Sequence, residues 1–519
     1  MVGSGGKMRQ SVKHKRGIPI PTRIVISAVV LLFQLGILFV MLHTLSDKSV
    51  FIYTVSEILA IITVIYIVNR RGNPSYKMAW IVFILIVPIF GITVFMFFGG
   101  GRVLPHFKRK MRLCESHNMP FLKNDEEAQN ALKYDDYPHS RQAEYLARES
   151  GYPLYKNTSV EYLSPGEVFL PRFLEELEKA QKYIFLEFFI VAEGEMFDSV
   201  YNILRKKAAE GLDVRLLFDD FGSIKRQRKG FIERLRRNGI KVAVFNQIKP
   251  SLSIFMNNRN HRKIAVIDGA TAVTGGLNLA DEYINAQKRF GYWMDCAVIL
   301  EGEAVSSFAI MFLNMWEFTT RHRLPTENYL TDYSVKTGGY VLPYCNDPLS
   351  DRNAAAGIYM QILNCAQRYV YIISPYLIID NTMTETIKMA ARAGIDVRII
   401  TPHIPDKWYV HPVTQYNYTE LLEAGVRIFE FTPGFIHSKI FVSDDSVATV
   451  GTVNMDYRSF SLHFECGVWM ASNSAVGDIK NHFDEIQAMS REIHLKKWRR
   501  APKLVRLKRA ILHLFAPFM

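Results

Sequence analysis

Two histidines, His261 and His437, open stretches of the same spacing: HRKIAVIDGATAVTGGLN from His261 to Asn278, and HSKIFVSDDSVATVGTVN from His437 to Asn454. In each copy a lysine follows two positions after the histidine (Lys263, Lys439) and an aspartate seven positions after it (Asp268, Asp444). Gly275 or Gly451 and then Asn278 or Asn454 come next at matching offsets. One such string would arise by chance in a chain of this length roughly a few per cent of the time. Two copies with the same downstream Gly and Asn mark a shared constellation. A neutral imidazole can act as nucleophile or proton donor near neutral pH, provided a second group fixes its tautomer.

The elements around these residues must present them. KIAVID and KIFVSD are short apolar runs ending at acidic turns, which predicts a strand for each. Side chains two apart on a strand share a face, so His261 and Lys263 project together, as do His437 and Lys439. The aspartates lie an odd number of positions from their histidines and on an extended strand point the other way, as structural anchors. The repeat extends upstream: AQKYIFLEFFIV answers AQRYVYIISPYLII, and AAEGLDVRLLF answers AARAGIDVRIIT. Each copy reads as strand, helix, strand, then a helix leading to the His-bearing strand pair. The expected fold class is α/β, with two pseudo-symmetric halves over about 151–330 and 331–493 that bring their His strands to one seam.

Paired H-x-K-x4-D stretches, each followed by G-x-x-N, resemble the phospholipase D superfamily. The resemblance implies one active site between two halves, where one histidine attacks phosphorus to form a phosphohistidine and the other protonates the leaving alcohol. The catalytic set it implies is His261, Lys263, Asp268, His437, Lys439 and Asp444, with His261 the nucleophile by family analogy. In that family a carboxylate on a later strand orients each imidazole, and the candidates here are Asp295 in GYWMDCAVIL and Glu465 in HFECGVWM. Lys263, Lys439, Asn278 and Asn454 would donate to the equatorial oxygens of a phosphorane, so neither a metal nor another cofactor is expected.

Further stretches narrow the resemblance. FLEFFIV, LLFDDFGS, ISPYLIID, ELLEAGVRIFEF and NMDYRSF, with NRR-x4-YKMAWIVFILIVPIFG near the N-terminus, are similar to bacterial cardiolipin synthases of the phospholipase D type from about Val50 onward. The implied activity is a membrane-bound phosphatidyl transferase that makes cardiolipin and glycerol from two phosphatidylglycerol molecules. A hydrolytic phospholipase D, another phosphatidyl transferase and a membrane-anchored nuclease are the alternatives.

Charge bears on the last of these. The formal charge is +13, yet residues 1–23 hold six Lys/Arg and no acid, and residues 494–519 hold eight Lys/Arg and no acid. Removing these 14 from the 63 basic residues leaves 49 against 50 acidic, so the body is near neutral. Basic ends on a neutral body suit an anionic lipid surface and argue against nucleic acid as the partner. Five cysteines form no C-x-x-C pair and read as core residues. Neither G-x-x-x-x-G-K-[ST] nor H-E-x-x-H occurs, which removes nucleotide-loop and zinc-protease chemistry.

Apolar stretches at about 24–42, 50–68 and 78–98 are each near the length needed to cross a bilayer, the second carrying Glu57 and the third Pro88 and Gly91. They predict an N-terminal membrane module over 1–100, with transmembrane helices, and a multi-pass protein of the cell membrane. Basic residues flank all three, so charge does not fix the topology. Residues 101–150 turn polar and read as a linker with local helix. Over 494–519, Leu504, Leu507, Ile511, Leu514 and Phe518 recur at helical spacing between basic residues, which predicts an amphipathic helix lying in a lipid interface.

Overall fold

Runs such as YIFLEF and YVYII, dense in β-branched and aromatic side chains, form the buried centres of two sheets. In the computed structural model of the chain, residues 50–70, 72–99, 105–248, 257–350 and 352–519 are described, together with Gly36. The first half contributes β1 (Thr158–Leu163), β2 (Tyr183–Phe188), β3 (Asp213–Asp219), β4 (Lys241–Phe245), β5 (Arg259–Asn260), β6 (Ile264–Ile267), β7 (Thr271–Gly275), β8 (Tyr292–Met294) and β9 (Ala297–Gly302). Seven of these make a sheet in the order β1-β9-β7-β6-β2-β3-β4. Its β2, β3 and β4 run parallel, and the remaining neighbours pair antiparallel.

The second half repeats the plan with β10 (Tyr340–Asn346), β11 (Tyr369–Ile373), β12 (Leu377–Ile378), β13 (Asp396–Pro402), β14 (Arg427–Phe431), β15 (Gly434–Ile436), β16 (Ile440–Ser443), β17 (Val447–Gly451), β18 (Met455–Asp456), β19 (His463–Ala471) and β20 (Ser490–Ile493). Its order is β10-β19-β17-β16-β11-β13-β14-β20, the same path with β20 added at the edge. The chain is therefore α/β, built as two halves of one design. The helix Val305–Thr320, buried from Ser307 to Phe318, joins them, and its core cluster includes Val298 of one sheet and Ile440 and Val468 of the other.

Three regions depart from expectation. The apolar stretch at 78–98 is broken: α1 (Val50–Asn69) is followed by α2 (Pro74–Ile86), which ends at Val87, and by the short α3 (Pro88–Val94). Pro88 has no N–H to continue the ladder, and Gly91 packs so close that a Cβ there would lie 2.7 Å from Ile84 Cα. The two pieces thus fold against each other. Among the described residues no helix is long and apolar enough to cross a membrane. The stretch at 24–42 lies outside the described residues apart from Gly36. The stretch 101–150 is more than a linker: from 105 on its helices bury Met111, Cys114, Leu132 and Leu146, and Gln142 accepts a hydrogen bond from Trp469 Nε1 at 3.1 Å. Apolar residues spaced along otherwise polar helices are enough to seat them on the body.

The tail also packs on the body. Between α4 (His411–Glu423) and α5 (Lys503–His513), His513 stacks on Tyr416 at 4.0 Å and Arg509 donates to Gln415 at 2.9 Å. Arg509 also lies over the Trp498 ring at 4.0 Å. Leu512 joins these polar and cationic groups in the inner contact, packing beside Val410 and Val413, while Leu504, Leu507 and Ile511 face outward.

Candidate active site

The site is assembled by two short parallel pairings that cross between the halves. β5, which leads into His261, pairs with the start of β19, and His261 N–H donates to Phe464 O at 2.9 Å. β15, which leads into His437, pairs with β8, and His437 N–H donates to Met294 O at 2.7 Å. Each histidine is thus registered against the strand that carries the other half's carboxylate. His261 Nδ1 lies 2.9 and 3.0 Å from the two Glu465 oxygens, and His437 Nδ1 lies 2.7 Å from Asp295 Oδ2. A carboxylate at Nδ1 holds the proton there and leaves the Nε2 lone pair for chemistry. Asn260 pins β5 from behind, its N–H donating to Asp219 at 3.0 Å and its Nδ2 to Glu187 at 2.8 Å.

Burial sets the electrostatics. Desolvation, followed by the charges of Lys263 and Lys439, pushes the His261 imidazole well below its ordinary value. Burial and Lys439 bring His437 to about 4, against the pull of Asp295. Both rings are therefore neutral at pH 7. Desolvation likewise lowers Lys263 to about 7 and Lys439 to about 8. Burial favours the neutral Asp295, but its interaction with His437, together with the Lys439 charge and the Cys296 N–H, outweighs it and holds the carboxyl below its usual range. Each lysine donates back to the carbonyl of its own histidine, Lys263 Nζ to His261 O at 2.6 Å and Lys439 Nζ to His437 O.

His261, His437, Asn278 and Asn454 all line one cavity of about 570 Å³. Asn278 is fixed on both sides, accepting from Ile190 N–H at 2.9 Å and donating to Tyr283 Oη at 2.6 Å. Asn454 Oδ1 is buried without a hydrogen-bond partner among the described residues. Asp268 and Asp444, grouped with the motif in the sequence, do not line the cavity. Each sits in the turn after its strand at positive φ (53° and 55°) and accepts backbone N–H groups, from Gln181, Lys182 and Tyr183 in one half and from Gln367, Arg368 and Tyr369 in the other. They tie the hairpin to the head of the central strand and do not touch the reacting region.

Several residues at the site escaped sequence reasoning. His463 lines the cavity with its ring 5.5 Å from that of His261, and Thr452 donates to Glu465 Oε2 at 2.5 Å. Position parity could have found His463, two residues before Glu465 on one strand. Arg226, Arg259, Arg289, Lys407 and Arg458 also line the cavity against three carboxylates, Glu282 paired with Arg226 and Arg289, Asp406 paired with Lys407, and Asp456, so the lining keeps a cationic excess although the body is neutral overall. Among the described residues one group has metal-ligand geometry: His261, His463 and Glu465, whose ligating atoms lie within 4.8 Å of one another. The cluster arises because His463 lies two residues before Glu465 on the same face of β19. A metal there would occupy the His261 imidazole itself.

A sequence profile described as "Cardiolipin synthase, PLD-like domain" matches residues 173–316 and 359–487, and one described as "Phospholipase_D-nuclease N-terminal" matches residues 58–100. The chain is 32% identical over 497 residues to a cardiolipin synthase of Geobacillus thermodenitrificans, covering 94% of this chain and 98% of that one. It is 30% identical over 484 residues to a cardiolipin synthase of Staphylococcus aureus, covering 91% and 97%. An uncharacterized protein of Streptococcus mutans is 40% identical over 462 residues, covering 88% and 99%. In fold the chain is similar to the crystal structure of phosphatidylserine synthase from Haemophilus influenzae, with a TM-score of 0.54 at 16% identity over 73% of this chain and 98% of that one.

Proposed function

The chain belongs to the cardiolipin synthase family of phospholipase D-like enzymes, and from that membership we propose that it joins two phosphatidylglycerol molecules into cardiolipin with release of glycerol. The observation that carries the reading is the crossed arrangement of two histidines, each oriented by a carboxylate from the opposite half, at one cationic cavity.

The proposed reaction has two steps. His261 Nε2 attacks the phosphorus of the first lipid, and the bond to the headgroup glycerol oxygen breaks as His437 delivers a proton to that oxygen. Both rings are neutral in the free enzyme, so this proton enters with the substrate: the phosphodiester anion offsets the cost of a buried imidazolium and raises the affinity of His437 for it. The product is glycerol and a phosphatidyl group on His261. In the second step the terminal headgroup hydroxyl of another phosphatidylglycerol gives its proton to His437 while its oxygen attacks phosphorus. The bond from phosphorus to His261 Nε2 then breaks. Lys263, Lys439, Asn278 and Asn454 donate to the equatorial oxygens. One phosphodiester replaces another, so no nucleotide enters.

The same proposal sets the protein at the cell membrane. Ile58, Ile62 and Ile65 of α1 and Met78, Leu85 and Ile86 of α2 are exposed apolar side chains, and such faces are covered by lipid or protein. The deciding experiment incubates purified protein in micelles with phosphatidylglycerol alone and identifies the products by mass. Cardiolipin and glycerol support the proposal. Phosphatidic acid alone makes the enzyme a hydrolase, and cardiolipin that forms only after a CDP-activated lipid is added overturns the donor.

A further inference from the structure

Beside the catalytic cavity lies a second one, of about 800 Å³ and of opposite character, within the roughly 300–1,000 Å³ typical of ligand sites. It is a groove between α2 and the C-terminal tail, walled by Met78, Ala79, Val82 and Phe83 on one side and by Leu514 to Phe518 on the other. The wall shared with the catalytic cavity is one residue thick. Ile378, Asp456 and Met519 face the catalytic side, Ile379, Tyr457 and Pro517 face the groove, and Phe518 belongs to both.

The groove is a built feature. Asn73, at the head of α2, donates to Asp380 of the second half at 2.8 Å, and the Phe518 ring meets Trp80 at 5.3 Å and Tyr76 at 5.6 Å. Arg458 of the catalytic cavity donates to Phe518 O at 3.2 Å, so the residue between the two cavities is held from both sides. At the outer mouth Met78, Ile86, Leu514 and Phe515 are more than half exposed, so the groove opens onto the most apolar surface of the tail and α2.

A cationic cavity and an apolar groove that share a wall match a single amphiphile with an anionic head and an aliphatic tail. We propose that this groove holds a fatty-acyl chain of the phospholipid whose phosphodiester lies between His261 and His437. This rests on the lipid-transferase reading and adds where the substrate's hydrocarbon goes and which part of the chain, the tail, closes over it.

The test fills the groove. Ala79→Trp and Val82→Trp place a ring in its wall, and Leu113→Trp, an exposed apolar position outside both cavities, serves as control. With dioleoyl and dihexanoyl phosphatidylglycerol in the same detergent, the groove variants should lower kcat/KM for the long-chain lipid about tenfold, the effect of displacing two or so buried methylenes. They should leave the six-carbon lipid within about twofold, and the control should leave both unchanged. Equal loss on both lipids, or none on the long one, overturns the proposal. So does a wild-type dimer that Val82→Trp disperses, which would make the groove an interface between copies.

A binding measurement separates this proposal from the activity. A phosphatidylglycerol with a diazirine at the acyl terminus should label the peptide holding residues 74–86 or the tail peptide, and Val82→Trp should abolish that label. Labelling elsewhere overturns the groove. A wild type that turns over no lipid yet gives this label overturns the transferase and leaves the groove standing.

Discussion

Gly276 and Thr452 occupy the same step of the repeat, between the shared glycine and asparagine, yet act in opposite ways. A Cβ on Gly276 would lie 1.9 Å from Asp295 Oδ1, so only glycine leaves that carboxylate its place. Thr452 instead reaches Glu465 with its hydroxyl. Two positions ahead of each carboxylate the halves differ again: Trp293 stands in one and His463 in the other. The Trp293 ring is 5.3 Å from His437, and the His463 ring 5.5 Å from His261. The His437 ring is also approached by Tyr283 at 5.7 Å and Phe435 at 5.9 Å. Asp295 therefore gives its charge to His437 inside an aromatic surround, while Glu465 divides its charge between His261 and Thr452, with His463 Nδ1 3.7 Å away. The first arrangement suits a ring that must give up a proton in one step and take one back in the next. The second suits a ring that must stay neutral and attack. A duplicated fold has thus specialised through the partners of its carboxylates while keeping their crossing intact.

The largest test of this contrast removes each histidine. His261→Ala and His437→Ala should each cost about a thousandfold or more in transfer. They should differ with a lipid carrying a good leaving group, where His437→Ala still forms an adduct on His261. An adduct trapped on His437 would exchange the two roles.

Next come the carboxylates. Asp295→Asn should lower kcat on the order of a hundredfold or more, and Glu465→Gln by less, because Glu465 already shares its carboxylate with Thr452. Equal losses would remove the distinction between the halves.

At the paired step, Gly276→Ala should destabilise the fold by about 1–3 kcal/mol through overpacking, read as a lower melting temperature. Thr452→Ala removes a hydroxyl that donates to Glu465 and accepts from the buried Cys466 N–H, so it should also destabilise by about 1–3 kcal/mol and lower activity by a few fold. Unchanged activity in Thr452→Ala, or an unchanged melting temperature in Gly276→Ala, would refute these readings.

The pH profile is a finer probe. Burial lowers Lys263 to about 7 and Lys439 to about 8, so their cationic forms, which attract the phosphodiester, are lost as pH rises through that window. The imidazole values lie on the acid side. Because His437 takes up its proton as the substrate binds, kcat/KM should fall most steeply between about pH 7 and 8 and go on rising as pH falls below 6.5, and a profile flat to high pH would exclude both the lysines and the proton uptake.

The smallest expected change is from chelation, which should leave activity as it is. Added zinc should inhibit through His463, and His463→Asn should relieve that inhibition. Complete loss in EDTA, restored by one divalent ion, would reverse the expectation.

Much of the plan could be read before any coordinates, because a duplication is a linear signal: the runs preceding each His stretch are alike, and the strand order they imply is the same in both sheets. The crossing could not be read. Whether Asp295 serves His261 or His437 depends on which short strand lies beside which, and β5 and β15 pair across the halves through only two or three residues each. Parity placed Asp268 and Asp444 on the far face, while their grouping with the motif pulled them toward chemistry, and their backbone hydrogen bonds give them an anchoring place instead. In the stretch at 78–98 the break is carried by Pro88 and Gly91, while its apolar composition by itself says nothing of a fold-back. Periodicity found the stripe of the tail, but α5 turns Leu504, Leu507 and Ile511 outward and sets Arg509, Leu512 and His513 inward, against Trp498, the core beside Val413, and Tyr416 respectively.

The crossed strands also govern when the enzyme can act during its own synthesis. The first half leaves the ribosome carrying His261 and its lysine, but the backbone acceptor that seats His261 is Phe464 O and the carboxylate that orients it is Glu465. Domains generally fold as they emerge, so an α/β half can exist for a time with His261 unseated. Reactivity toward phosphodiesters, in a cell surrounded by them, begins only when the chain past Glu465 has been made and the two halves have closed on each other.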